Sequence, residues 1–288
     1  DKYMAAQVIT VAIEKGGAGK TVTAQNIAYL MGDEGKRVLC VDTDPQGNLT
    51  TSLSGGELIT SPMFRGKGLY NLINGYMYGS KTEDYIQETN YENVDMIPAN
   101  ASTPRINTCI PQILEDVSEG LEDGDPRKNI SAESFLDYFL NQVKENYDYI
   151  VIDTQPTRDA LLLTNALAAA DYVLIPMMPD AYSETSAFRT WAMCNGLKES
   201  GKYHIKGAGV FFTNYDKNAA SSRLVMSQCK KELGSSLFDI VVPASRSVGM
   251  SINKNVPVCY MAKTQPAAKA FVEIYHELKN RLADLEVK

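Results

Sequence analysis

Val8-Ile9-Thr10-Val11-Ala12-Ile13-Glu14-Lys15-Gly16-Gly17-Ala18-Gly19-Lys20-Thr21-Val22 decides how this chain is read. Its opening residues are apolar or β-branched and predict a buried strand over residues 7–13. A glycine-rich turn follows. Ala24, Ile27, Ala28 and Met31 then recur at three- and four-residue spacing, which predicts a helix over 21–32, and Gly35 stands where a glycine ends one. Strand, glycine-rich turn and helix start together make the setting of a phosphate-binding loop. Glycines let backbone N–H groups converge on phosphate oxygens, and the helix N-terminus adds positive potential. In this reading Gly16, Gly17, Ala18, Gly19, Lys20, Thr21 and Val22 hold the nucleotide. Lys20 reaches the β- and γ-phosphates, and the Thr21 hydroxyl ligates Mg²⁺. The full pattern G-x-x-x-x-G-K-[ST] is met only in its second half, because position 14 is glutamate. The plainer reading is a glycine-rich turn with an incidental lysine, and the flanking strand and helix weigh against it.

Working outward, short β-branched runs predict strands over 37–42, 94–98, 149–153, 172–177, 207–213 and 239–242. Helical spacing predicts helices over 134–145, 159–169, 183–199, 219–233 and 266–285. Continuous apolar strands alternating with helices indicate α/β architecture: a doubly wound, mostly parallel sheet flanked by helices on both faces. No repeat or Pro- or Ser-rich linker divides the chain, so residues 1–288 are expected to form a single domain built on this phosphate loop. Segment 115–125 carries six acids and no base and reads as a solvated loop or helix edge.

With 44% hydrophobic and 22% charged residues over 288 positions, the chain is an ordinary globular one. No apolar run approaches the ~18 residues of a membrane span, and no secretory signal is visible at the N-terminus. Five scattered cysteines without a C-x-x-C read as reduced, mostly buried thiols of a cytoplasmic protein. Two histidines, His204 and His276, give no setting for a zinc site or a serine hydrolase. A net charge of −7 argues against a nucleic-acid binder until it is split by position. Residues 187–288 hold 15 Lys+Arg against 8 Asp+Glu, net +7, and residues 1–186 hold 13 against 27, net −14.

The string Lys15-Gly16-Gly17-Ala18-Gly19-Lys20-Thr21 resembles the deviant Walker A motif, K-G-G-x-G-K-[ST], of the ParA/MinD family of ATPases. Val41-Asp42-Thr43-Asp44-Pro45-Gln46-Gly47-Asn48 resembles the family's D-x-D-P-Q-x-N segment. Residues 147–153, Tyr-Asp-Tyr-Ile-Val-Ile-Asp, resemble its Walker B strand, and Val242-Pro243 and the stretch ending at Phe271 resemble its C-terminal part. The resemblance is strong over 8–51 and patchy over 55–146. It implies an ATP-dependent sandwich homodimer that hydrolyses ATP to ADP and phosphate with Mg²⁺. Lys15 would then serve the partner subunit's phosphates, with Lys20 and Asp44 as the other catalytic groups. Asp44 matches the position that orients the attacking water. Asp42, two residues back on the same side of a strand, would lie near Mg²⁺ and its waters. Asp153 ends an apolar strand, where a carboxylate needs a cation, and matches the Walker B metal role. Asn214 and Pro243 match the adenine-contacting positions.

The family prior also gives the basic third a meaning. In ParA-like proteins a basic surface from this region, spanning the dimer, binds double-stranded DNA without sequence specificity, and Arg189, Arg223, Lys230 and Lys231 are the candidates here. Such contacts make binding fall steeply with salt. The plainer reading of the same charges is a solubilising surface. The resemblance implies a small ParA-type partition ATPase without an N-terminal helix-turn-helix. It would act with a ParB-like centromere-binding partner to segregate a plasmid, chromosome or mobile element, and associate with the nucleoid in the ATP state. The alternative is a MinD-like or cargo-positioning ATPase acting on a membrane or protein assembly. Residues 278–288 are mixed in charge and short of aromatics, which argues for a packed final helix and no membrane. An iron–sulfur ATPase of the same fold is a further alternative, and this chain's cysteines offer no close pair to bridge subunits around a cluster. The sequence departs from the family at Thr154-Gln155-Pro156-Thr157, where Gln155 replaces a proline near the γ-phosphate. That departure keeps a non-hydrolysing nucleotide switch in view.

Overall fold

A computed structural model describes residues 5–156 and 161–286. β1 (Gln7–Val11) leads through the glycine-rich turn into α1 (Lys20–Asp33), followed by β2 (Val38–Asp42), α2 (Asn48–Leu53), α3 (Leu69–Asn74), β3 (Gln87–Glu88) and β4 (Val94–Ile97). Next come α4 (Ile106–Gly120), α5 (Phe135–Asn141), β5 (Tyr149–Asp153), α6 (Leu161–Ala168), β6 (Tyr172–Met177) and α7 (Ala181–Glu199). β7 (Gly207–Tyr215), α8 (Ala220–Leu233), β8 (Leu237–Pro243), α9 (Arg246–Asn253), α10 (Val258–Met261) and α11 (Pro266–Glu286) follow.

The strands form one eight-stranded sheet in the order β3-β4-β2-β5-β1-β6-β7-β8. Every pairing is parallel except that of β3 with β4. This is the doubly wound, mostly parallel sheet that the strand and helix alternation predicts. β1 lies between β5 and β6, so the chain winds away from it in both directions. In such sheets the ligand crevice opens beyond the carboxyl ends of the strands at that reversal, and the glycine-rich turn leaves β1 there.

Strand side chains alternate between the two faces. Ile9 and Val11 pack with Ala24, Ile27 and Met31 of α1 and with Phe271, Ile274, Leu278 and Leu282 of α11. Val8 faces the other way, with Leu69, Phe135, Phe139 and Leu162 from α3, α5 and α6. A third cluster joins Val173, Ile175, Val210 and Phe212 to Ala187 and Cys194 of α7 and Cys229 and Leu233 of α8. The apolar stripe of the last helix is therefore buried against the sheet, and among the described residues no helix is long and apolar enough to cross a membrane.

Where boundaries differ from the sequence reading, local bonding explains it. The predicted helix over 134–145 ends at Asn141. Val143 is buried, which continued the apolar spacing, but its N–H bonds three residues back to Leu140 and its backbone has left the helix. The acidic segment is divided: residues up to Gly120 complete α4 and the rest forms the following loop. The predicted start of the helix at 159 lies outside the described residues.

Close helix–sheet packing depends on Gly32. A Cβ there would stand 2.6 Å from Val94 Cγ2 and 2.7 Å from the carbonyl oxygen of Glu92. Backbone cannot yield as a side chain can, so Gly32→Ala is expected to destabilise the protein by about 1–3 kcal/mol. Urea unfolding checks this, and an unchanged midpoint would contradict so close an approach of α1 to β4.

Candidate functional site

Gly17 and Gly19 have φ of 75° and 91°, left-handed conformations that the loop needs and that side chains resist. Gly19 occupies the N-cap of α1 and, having no side chain, leaves the first-turn amides uncapped, as an anion site requires. The loop is fastened from behind. Thr213 Oγ1 on β7 donates to the carbonyl oxygen of Ala18 at 3.0 Å, and Ala18 is fully buried.

Lys20 is only 7% exposed, and its Nζ donates to the carbonyl oxygen of Lys15 at 2.9 Å. Burial lowers its pKa, while the nearby Asp153 and Asp44 carboxylates oppose that shift. Thr21 Oγ1 donates to Asp153 Oδ2 at 2.6 Å. Asp153 is fully buried, and its other oxygen, Oδ1, has no hydrogen-bond partner. Burial raises the pKa of Asp153, and Asp42, its neighbour across the β2–β5 pairing, raises it further. Two buried carboxylates side by side call for a cation.

The structure gives Asp42 a role that sequence reasoning did not assign. Its Oδ2 accepts from the N–H and hydroxyl of Thr50 at 2.8 and 2.7 Å, and its Oδ1 accepts from the N–H of Asp44 at 3.1 Å. Both oxygens thus shape the loop that presents Asp44. Asp44 is 7% exposed and its Oδ1 accepts from the N–H of Gln46 at 2.9 Å. Burial raises its pKa, with the Gln46 amide and the Lys20 ammonium opposing the shift.

A cavity of about 400 Å³ brings Gly16, Gly17, Gly19, Lys20, Thr21, Val22 and Asp44 together with Pro156, Ile252 and Asn255. A second, of about 310 Å³, shares Gly17, Gly19, Val22 and Ile252 with it and extends to Asn214, Pro243 and Ser245. Asn214 belongs to β7 itself rather than following it, with φ of 50°, and Tyr215 beside it pairs with Pro243 of β8. The two cavities form a cleft with Lys20, Thr21 and Asp44 at one end and Val242, Pro243 and Val248 at the other, which suits a nucleotide. Ile252 of α9 and Asn255 just after it were not anticipated, since only β8 and the following turn bring them to the loop.

Lys15 lies outside the lining of the phosphate-end cavity. Its Nζ stands 2.8 Å from both carboxylate oxygens of Asp180, which also caps α7 by accepting from the N–H groups of Tyr182 and Ser183. Lys15 and burial act on Asp180 in opposite senses, and its pKa ends below the ordinary value. An Asp before a helix is readable as a cap, but its pairing across 165 residues is not. The pair is partly exposed, at 28% and 37%, so it is worth no more than about 1 kcal/mol and releases readily. Arg189 on α7 and Arg223, Lys230 and Lys231 on α8 are exposed and stand apart from the cleft lining. The guanidinium of Arg223 donates to the carbonyl oxygens of Lys217 and Asn218.

A sequence profile described as AAA domain matches residues 6–207. An uncharacterised protein of Methanocaldococcus jannaschii is 29% identical over 269 residues, spanning 93% of this chain and 96% of its own. The chromosome partitioning protein ParA of Caulobacter vibrioides is 25% identical over 288 residues, spanning 98% of this chain and 97% of its own. Among solved structures, the ATP complex of a McdA variant from Cyanothece matches with a TM-score of 0.76 and 22% identity, over 95% of this chain and 96% of that one. At that identity the match speaks for the fold.

Proposed function

Because the chain belongs to the AAA domain family and is a ParA/MinD-type P-loop ATPase, we propose that it is a ParA-type partition ATPase. In this reading it binds ATP, forms a sandwich homodimer, binds duplex DNA non-specifically and hydrolyses ATP when a ParB-like partner stimulates it. The observation that carries the reading is the placement of Lys15. Lys20 occupies the phosphate end of the cleft, whereas the Lys15 ammonium sits outside on a weak, releasable partner. A cation beside the cleft, held only by a partly exposed carboxylate, supports a role on a second subunit's phosphates, which would make charge neutralisation depend on dimerisation.

The residues present fit Mg²⁺–ATP. Thr21 and the unpartnered Oδ1 of Asp153 are the groups that would hold the ion, with Asp42, whose oxygens already accept from Thr50 and Asp44, beside them. When bound, Mg²⁺ neutralises charge on the phosphate oxygens. Lys20 then exchanges the Lys15 carbonyl for phosphate oxygens. Asp44, held by the Asp42–Thr50 bonds and the Gln46 amide, orients the attacking water. Little covalent chemistry is required, so position and charge decide the rate. Asn214 and Pro243 line the adenine end.

α7 and α8 supply the DNA surface. Lys230 and Lys231 lie in the last turn of α8, where cations are also favoured by the helix dipole. The burial of Phe271, Ile274, Leu278 and Leu282 against the sheet weighs against the membrane alternative. A duplex-shift assay without a specific site, run with ATP, ADP and no nucleotide across a salt titration, tests the proposal. Binding is expected only with ATP, with log affinity falling linearly as log salt rises. Binding that ignores nucleotide or salt would count against it.

A further inference from the structure

Val22 of α1 and Ile252 of α9 line both cavities of the cleft, so the two meet there. A nucleotide with its phosphates on the glycine-rich loop and its base beside Asn214 and Pro243 carries its sugar past that junction. Neutral amides stand just beyond it, in the wall of the phosphate-end cavity. Gln25 follows Val22 by three positions on α1, so the two share one face of the helix. Asn255 follows Ile252 by three positions, and its N–H donates to the Ile252 carbonyl oxygen at 3.0 Å. Gln25 is 3% exposed, and its Oε1 accepts from the hydroxyl of Ser52 on α2, which is 4% exposed. Ser52 thereby occupies the carbonyl end of the amide and leaves Nε2 as a donor. That nitrogen forms no hydrogen bond among the described residues and stays open to the cavity that Gln25 lines. A buried amide donor left open to a cavity calls for an acceptor brought by a ligand.

We propose that the side-chain amide of Gln25 donates a hydrogen bond to a ribose hydroxyl of the bound nucleotide, so that the site prefers ribonucleotides to deoxyribonucleotides. The proposal rests on the nucleotide-binding reading above and adds a specificity residue to it. The chemistry selects the acceptor. Lys20 and the uncapped amides of the first turn of α1 serve the charged end of the nucleotide. Gln25 and Asn255 are neutral and lie beside the junction between phosphate and base, where the neutral polar groups of a nucleotide are its sugar hydroxyls. Gln25 is held by α1 on one side and by Ser52 on the other, so the donor is in place before the ligand arrives. A deoxyribose leaves that donor unpaired in a buried wall, which is how a site built to bond a hydroxyl rejects the analogue lacking it.

Calorimetry with ADP, 2′-deoxy-ADP and 3′-deoxy-ADP, each with Mg²⁺, tests this without turnover. The unaltered protein is expected to bind ADP about fivefold more tightly than one of the two analogues, the one lacking the contacted hydroxyl. Gln25→Met alone would strand the buried Ser52 hydroxyl, so it is combined with Ser52→Ala, which replaces both partners by apolar groups. In that double variant ADP is expected to weaken by the same factor while the discriminated analogue stays within about twofold, so the ratio falls to about one. Binding of the analogue is then also the folding control. Equal affinity of the unaltered protein for all three nucleotides would overturn the assignment, and that measurement needs no variant. A preference that survives in the double variant, or equal loss of all three nucleotides in it, would also overturn it. Each of these outcomes leaves the ATPase reading standing. Failure of the unaltered protein to bind any of the three would overturn both.

Discussion

Lys15→Ala is expected to remove ATP turnover, lowering kcat by at least about a hundredfold, while leaving ATP affinity of the isolated chain nearly unchanged. The Lys15 ammonium is held at 2.8 Å by Asp180 and does not line the phosphate-end cavity, so its removal takes nothing from binding within one subunit. In the proposed dimer its contribution would come only when a second subunit presents its phosphates. Preorganised cations aimed at developing charge in a dry site are worth factors of about 10²–10³, and a cation supplied in trans to phosphoryl transfer more still. The variant leaves Asp180 without its cation, but that carboxylate is 37% exposed and still caps α7 through Tyr182 and Ser183. The fold should hold. Single-turnover hydrolysis alongside equilibrium binding makes the separation. Equal rates for variant and parent would exclude the trans role. Parallel loss of binding would place Lys15 on its own subunit's nucleotide.

Asp44→Ala is expected to abolish hydrolysis in the opposite setting, with ATP bound and the dimer retained. Asp44 sits at the wall of the phosphate-end cavity, and its Oδ1 is held by the Gln46 amide. Asp42 supports it by accepting the Asp44 N–H. A water-orienting carboxylate acts on the chemical step and not on nucleotide affinity, so kcat should fall by about 10²–10⁴. Sedimentation with ATP should then show a persistent dimer, and that dimer should bind duplex DNA. Normal turnover would exclude Asp44 from handling the water. Loss of the dimer would mean that the carboxylate holds the loop instead. Asp42→Asn keeps the shape but sets its NH₂ against the N–H of either Asp44 or Thr50, so it loosens that loop and is the control for that second role.

Much of this was legible in the chain. The β-branched run before the glycine turn fixed the first strand, and the three- and four-residue spacing of Ala24, Ile27, Ala28 and Met31 fixed the helix, because burial imposes those periods locally. The phosphate loop was readable for the same reason. Its chemistry depends on glycines, a lysine and a hydroxyl within seven adjacent positions between β1 and the first turn of α1, so the local string shows them, although Thr213 of β7 is what fastens the loop. Less was readable where periodicity is short or shared. Val143 continued an apolar spacing after its backbone had left the helix, and two-residue β3 offers no period at all. The C-terminal charge block was readable as a composition, and the helices predicted over 183–199 and 219–233 already carried Arg189, Arg223, Lys230 and Lys231; that all four are exposed needed the structure.

The sequence by itself determined which residues are the candidates for the chemistry: Lys15, Lys20, Thr21, Asp44 and Asp153 occur in short strings whose spacing is set by one turn or one strand. Only the tertiary structure decided what each group faces. Asp153 and Asp42 became neighbours through the β2–β5 pairing, Thr213 reached Ala18 from β7, and Lys15 met Asp180 across 165 residues. It also left Gln155 buried with an unpaired donor. Partnerships of this kind depend on strand order and register, which no local pattern encodes, whereas the need of a buried charge or amide for a partner is a property of the residue.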